Sequence, residues 1–138
     1  MSDVVFRPAV DSDMAFVVKT WVRTALSCKQ FAALGRKPLA DAVKATIAEL
    51  LERGASLQVA VPSDATDRIL GFVCWEDRQG PVVHFIYVKE LFRAMGLGRK
   101  MLALSYGDRS QDLRYTLKTR NSGRLFREAK YKPFLVRK

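Results

Sequence analysis

Val82-Val83-His84-Phe85-Ile86-Tyr87-Val88, then Lys89-Glu90-Leu91-Phe92, then Arg93-Ala94-Met95-Gly96-Leu97-Gly98, then Arg99-Lys100-Met101-Leu102-Ala103-Leu104-Ser105, is the stretch from which the rest of the chain is read. An apolar run of strand length passes through two glycines into a segment of helical character. The first turn of a helix leaves backbone N–H groups without partners, and with the helix dipole they attract a phosphate. Gly96 and Gly98 have no side chain, so the chain can turn tightly and a pyrophosphate can reach the backbone, with Arg93 and Arg99 as countercharge. The stretch therefore predicts a phosphorylated cofactor. Other glycine motifs fit worse, because there is no Gly-x-Gly-x-x-Gly and Gly98-Arg99-Lys100-Met101 lacks the Lys-Ser/Thr of a nucleotide P-loop.

Working outward, Val4-Val5-Phe6-Arg7 reads as a strand ended by Pro8, after which Asp11 or Ser12 can cap a helix. Met14, Val17, Val18, Trp21, Val22 and Ala25 form its apolar stripe, with Trp21 as a core anchor. Cys28 to Lys37 reads as a loop, and a second helix starts near Pro38, carries Leu39, Val43, Ile47, Leu50 and Leu51, and stops at Gly54. Leu57 to Val61 and Ile69 to Glu76 read as a strand pair, and Gln79-Gly80-Pro81 turns into the strand at 82–88. A third helix follows the glycine turn and ends near Gly107. Tyr115 to Lys118 is a further strand, Ser122 to Lys130 a short helix, and Pro133 to Val136 an edge strand. No repeat, low-complexity tract or linker interrupts this order, so residues 1–138 are expected to form one layered domain.

The 138 residues are 49% hydrophobic, enough for a core without staples. No apolar run has the length of a membrane span, and Met1-Ser2-Asp3-Val4 lacks the pattern of a signal peptide, which predicts a cytoplasmic address and no membrane partner. Cys28 and Cys74 lack metal-ligand spacing, so they read as reduced, buried thiols, with neither a zinc site nor a disulfide framework. The net charge of +10 is uneven: residues 1–70 hold 9 basic and 8 acidic side chains, residues 71–138 hold 15 and 6. An acidic partner is expected at the second half, whether cofactor phosphates, nucleic acid or an acidic protein surface.

Together these residues resemble the GCN5-related N-acetyltransferase (GNAT) superfamily, which moves an acyl group from acetyl-CoA to an amine. The family's cofactor motif runs apolar-x-Val, three residues, an aromatic, Arg/Gln-x-x-Gly-x-Gly/Ala, then a helix. Ile86-Tyr87-Val88, Lys89-Glu90-Leu91, Phe92 and Arg93-Ala94-Met95-Gly96-Leu97-Gly98 satisfy every element of it. Phe6-Arg7-Pro8-Ala9 with Asp13 is similar to the family's opening strand and turn, and Leu125-Phe126 to Tyr131 are similar to its late helix. The resemblance implies an α/β (α+β) chain with the acyl-CoA N-acyltransferase fold: a mixed, mostly antiparallel sheet flanked by about four helices, with a shortened C-terminus. It implies acetyl-CoA as cofactor. The loop Arg93 to Gly98 with Arg99 would bind the phosphates, and Ile86, Tyr87 and Val88 would offer backbone to the pantetheine arm in the gap beside the fourth strand. It also implies an asparagine on that arm, a role for which Asn121 is offset and Thr119 holds the expected place.

On the catalytic side the chain departs from the family. Acyl transfer needs a neutral amine, and the family often uses a glutamate as base and a tyrosine as acid. Those positions are Val82 and Phe126 here, and neither moves a proton. His84 is the substitute base, sharing a strand face with Val82, Ile86 and Val88 on strict alternation, and the competing reading is a buried histidine satisfied by a neighbouring carbonyl. Glu76 is a second base candidate, and Tyr131, Tyr87 or Tyr106 can replace the acid. The chain also stops soon after Tyr131, so substrate walls are expected to be partial, or completed by a partner chain in a homo-oligomer.

Three functions follow. The first is an acetyl-CoA-dependent N-acetyltransferase acting on an amine of a protein or small molecule. The second is a non-catalytic module of this fold that docks on a protein, a host protein if the chain is of the bacteriophage-encoded type that its size and basic character resemble. The third is nucleic-acid binding by the C-terminal half, where residues 109–138 hold 10 basic against 2 acidic side chains, Arg120, Arg124 and Arg127 among them, interleaved with aromatic residues.

Overall fold

The computed structural model of the chain describes residues 3–28, 33–106, 114–116 and 130–131. In chain order they form β1 (Val4–Pro8), a 3-10 turn (Asp11–Asp13), α1 (Met14–Leu26), α2 (Arg36–Glu52), β2 (Ser56–Pro62), β3 (Gly71–Asp77) and β4 (Pro81–Val88). A second 3-10 turn (Glu90–Met95), α3 (Leu97–Tyr106), β5 (Arg114–Tyr115) and β6 (Lys130–Tyr131) follow. The strands form one six-stranded sheet in sequence order. β1 to β4 are antiparallel neighbours, whereas β5 runs parallel to β4 and β6 parallel to β5. This is the mixed, mostly antiparallel sheet that the resemblance implies. Three of the expected helices are among the described residues, and the fourth, expected at 122–130, lies outside them except for Lys130, which is in β6 and not in a helix. The strand expected at 133–136 also lies outside the described residues.

Local chemistry explains where the elements begin and end. Neither Asp11 nor Ser12 caps α1. The turn before it is closed by Asp13, which is buried and accepts from Val10 N–H at 2.8 Å and from the Arg7 guanidinium at 2.7 and 3.1 Å. The Arg7 hydrogen bonds hold the Asp13 carboxyl below its ordinary pKa, against the opposing effect of burial. α2 begins two residues ahead of Pro38, which its first turn tolerates because no N–H is needed there. Gly54 ends it with φ +93°, a left-handed conformation that favours glycine. β3 begins at Gly71 because Leu70 donates its N–H to Ala60 and accepts at its carbonyl from Lys89, serving strands on opposite sides as no regular ladder residue does.

The sheet separates two apolar layers. On one face Val17, Trp21 and Ala25 of α1 and Leu39, Val43, Ile47 and Leu50 of α2 pack on Phe72, Cys74 and Phe85, and the Trp21 and Phe85 rings stack at 4.9 Å. On the other face Leu97, Met101 and Leu102 of α3 pack on Val73, Val83, Val88 and Tyr115. Both cysteines are buried free thiols, and burial pushes Cys74 up to about 12, which makes it chemically inert at neutral pH.

β4 joins the two layers through a bulge. Cys74 faces Phe85 and Trp75 faces Val83, so His84 is an extra residue with no partner across the ladder. Strict alternation therefore fails at this point, and His84 does not share the face of Ile86 and Val88. Its ring lies on the α1–α2 face with Glu76, while Val83, Ile86 and Val88 belong to the α3 face.

Candidate active site

The two ends of β4 carry different features. At the C-terminal end the chain leaves the sheet through the 3-10 turn Glu90–Met95. Gly96 then adopts φ +77° and ψ 8°, and α3 begins at Leu97. A Cβ at Gly96 would meet nothing within 4 Å, so the backbone is open to an incoming group and glycine is required by conformation alone. The first bond of the helix runs from Lys100 N–H to Gly96 O, which places the N–H groups of Leu97, Gly98 and Arg99 ahead of the carbonyls of α3 itself. Gly98 sits inside the first turn and not in the bend, where its lack of a side chain thins the helix beside those groups.

Arg93 is exposed, and its Nε donates to the Val88 carbonyl at 2.8 Å while its guanidinium lies 6.0 Å from the centre of the Tyr87 ring. It ties the loop back to the strand and so shapes the cradle, in addition to its positive charge. Arg99 is exposed on the first turn of α3. For Ala94 and Met95 the backbone alone is described.

Among the described residues the far edge of β4 is unpaired where the resemblance implies a gap. Pairing with β5 spans Val82–Arg114 and Val83–Tyr115 and closes with Thr116 N–H on Val83 O at 3.1 Å. Among the described residues no strand pairs with that edge beyond Val83. Backbone direction divides the three expected contacts. The Tyr87 carbonyl points at β3, since a Cβ on Gly71 would come within 2.5 Å of it, while the Val88 carbonyl points away to Arg93. Alternation gives Ile86 the direction of Val88, so Ile86 and Val88 offer backbone to the open edge and Tyr87 does not. The Tyr87 ring instead packs against Phe16 and Phe72 on the α1–α2 face.

At the bulged end, His84 Nε2 lies 2.5 Å from Glu76 Oε2 and its Nδ1 lies 2.9 Å from Thr116 Oγ1. Arg53, just after α2, donates from Nε to Glu76 Oε1 at 3.0 Å and from a second guanidinium nitrogen to Oε2. His84 is 2% exposed, whereas Thr116 is half-buried. Burial pushes the imidazole below its ordinary pKa, against the pull of the Glu76 carboxylate. Burial also opposes ionisation of Glu76, but the hydrogen bonds from Arg53 and His84 prevail and hold its pKa below the ordinary carboxyl value. An ionised Glu76 only accepts, so the ring proton of neutral His84 belongs on Nε2, and Nδ1 accepts from the Thr116 hydroxyl. The ring is buried, as the competing reading expects, but its partners are a hydroxyl and a carboxylate and not a neighbouring carbonyl. The arrangement is a hydroxyl–imidazole–carboxylate chain.

The fold thus brings His84 and Glu76 together. It adds Arg53 and Thr116, which no local sequence signal marks, because they lie 23 residues before Glu76 and 32 after His84. The backbone of Tyr131 is in β6, and that of Tyr106 ends α3. Thr119, Asn121, Phe126 and the arginines at 120, 124 and 127 lie outside the described residues. Trp21 is 4% exposed and belongs to the core. A separate cavity of about 660 Å³ lies on the α1 side near Lys89, between Arg7, Asp13, Phe16 and Ile69, and involves none of the residues at the bulge.

Solved structures share this architecture. An acetyl transferase of Pyrococcus furiosus superposes with a TM-score of 0.65 at 14% identity, over 91% of this chain and 90% of that one. A GNAT-family acetyltransferase of Staphylococcus aureus Mu50 gives 0.52 at 13% identity, over 75% of this chain and 63% of its own length. The GNAT-family N-acetyltransferase YhbS of Escherichia coli, solved in complex with CoA, gives 0.50 at 18% identity, over 75% and 54%. The chain has the GNAT acetyltransferase fold. No protein-family model and no curated protein sequence matches it.

Proposed function

We propose that the chain binds acetyl-CoA and transfers its acetyl group to an amine of a protein or small molecule in the cytoplasm. The observation that carries this reading is the left-handed Gly96 at the C-terminal end of β4, which brings the N–H groups of Leu97, Gly98 and Arg99, ahead of the first bond of α3, to one place. The residues fit the group. Diphosphate oxygens would take those N–H groups with Arg99 nearby, and the amides of a pantetheine arm would pair with the backbone of Ile86 and Val88 as an added strand does. The CoA complex of YhbS, a protein of the same fold, supports the choice of cofactor. When bound, acetyl-CoA supplies an activated acyl group, and the task left to this chain is to place the acceptor and remove its proton.

The test is thiol release from acetyl-CoA by the purified chain in the presence of spermidine, polylysine and peptides with free N-termini. Acetylation of at least one acceptor class, confirmed by mass, is the expected result. Tight binding of acetyl-CoA with no transfer to any of them would favour the docking-module reading, and strong, salt-dependent binding of nucleic acid in its place would favour the third.

A further inference from the structure

Among the described residues the far edge of β4 is paired as far as Val83 and carries no partner strand from there to Val88. From Val83 to Val88, where the glycine loop begins, the strand covers about 17 Å at ~3.4 Å per residue. An extended pantetheine arm spans that distance, so a diphosphate seated at Leu97–Arg99 brings the thioester to the neighbourhood of Val83 and Thr116. Thr116 N–H bonds Val83 O, and Thr116 Oγ1 bonds the His84 ring. The end of the cleft and the end of the hydroxyl–imidazole–carboxylate chain coincide.

We propose that Thr116 is a catalytic residue, which carries the proton of the acceptor amine to the buried ring of His84. The proposal rests on the acetyl-CoA reading. His84 itself is too buried to touch an acceptor, and its Nδ1 faces Thr116, which is half-buried. The Thr116 hydroxyl hydrogen points at Nδ1, so the oxygen lone pairs remain to accept an N–H from the amine. The neutral amine attacks the thioester carbonyl carbon, the N–C bond forms and the C–S bond breaks. The amine proton passes to Thr116 Oγ1 as the hydroxyl's own proton passes to His84 Nδ1, and the imidazolium is stabilised by Glu76, which Arg53 holds in place. The same path in reverse delivers a proton to the CoA thiolate and restores the resting chain. A hydroxyl next to a base that is itself oriented by a third group is the arrangement such proton transfers use.

The chain has one histidine, so its ring nitrogens can be read singly by nitrogen NMR. The expected neutral-pH spectrum shows Nε2 protonated and Nδ1 bare, with the Nδ1 signal displaced in Thr116→Val. With acetyl-CoA and an accepted amine, Thr116→Val should lower kcat about 100-fold, the lower end of general acid–base contributions. The KM for acetyl-CoA should stay within about twofold, because the hydroxyl acts on the proton and not on the cofactor. Thr116→Ser, which keeps the hydroxyl, should recover most of the rate, and wild-type kcat should fall as acid protonates His84. A wild-type kcat in Thr116→Val, or a ring protonated on Nδ1, overturns the proposal. If wild-type chain that is folded by NMR neither binds acetyl-CoA in calorimetry nor transfers acetyl, the cofactor reading falls and this proposal falls with it; binding and transfer that persist in Thr116→Val remove the proposal alone.

Discussion

The two ends of β4 do comparable work by opposite means. At the Val88 end the site is made of backbone: N–H groups of the first turn of α3, two strand residues turned to an edge that no described strand covers, and a glycine held left-handed. At the Val83 end it is made of side chains: His84, Glu76, Thr116 and Arg53, drawn from β4, β3, the end of β5 and the end of α2. A backbone site tolerates almost any side chain that leaves the main-chain path intact. A side-chain site depends on each partner and on the packing that aims it.

The comparison can be broken by substitution. The largest effect is expected at Trp21, whose ring stacks on Phe85 next to the bulge. Trp21→Ala should cost about 3–5 kcal/mol of stability in denaturant unfolding, as large-to-small core changes do. A loss under about 1 kcal/mol would mean that the bulge does not depend on this layer. Gly71→Ala comes next, because the new Cβ would sit 2.5 Å from the Tyr87 carbonyl, 3.2 Å from the end of Met101 and 3.3 Å from Val88 Cα. The expected cost is about 1–3 kcal/mol, with weaker acetyl-CoA binding as β4 is pushed aside. Unchanged stability and affinity together would contradict the backbone directions assigned to Tyr87 and Val88.

Acid should act on the side-chain end. His84, Glu76 and Asp13 all have folded pKa values below their ordinary ones, so the unfolded chain binds more protons at each group as pH falls. Stability should be full above about pH 6.5, decline as the unfolded histidine protonates, and fall further through the carboxyl range near pH 4. Thermal melts from pH 8 to pH 4 check this, and a midpoint that rises with acid would reverse the sign assigned to the network. The smallest effect belongs to Arg93, which braces the loop through one bond to Val88 O. Arg93→Ala should weaken acetyl-CoA about tenfold, or about 1.4 kcal/mol, with the fold intact by circular dichroism. Complete loss would make Arg93 the principal phosphate ligand and the backbone a secondary one.

The same contrast decides what could be read from the chain in advance. Gly96, the apolar run before it and the helix after it form one local pattern, so the cradle was legible without any tertiary contact. The stripes of α1 and α2 and the glycine stop at Gly54 were legible for the same reason. The bulge was not, because one extra residue leaves no mark on a run in which every residue from Val82 to Val88 except His84 is apolar or aromatic, and it alone changed the face on which His84 lies. Thr116 and Arg53 were invisible as partners, since nothing in Arg-Tyr-Thr or Glu-Arg-Gly announces a contact made across the sheet. Lys130, expected as the last residue of the late helix, pairs instead with Arg114 in β5, a non-local contact that helix propensity does not foresee.

The cradle carries the cofactor assignment, and calorimetry with acetyl-CoA on wild-type chain and on Gly96→Glu tests it most directly. The expected result is binding in the micromolar range by wild type and none by Gly96→Glu, which forces a non-glycine residue to φ +77° and puts a carboxylate where the diphosphate would sit, with both chains equally folded. Equal affinity in the two chains, or no binding by wild type, would contradict it.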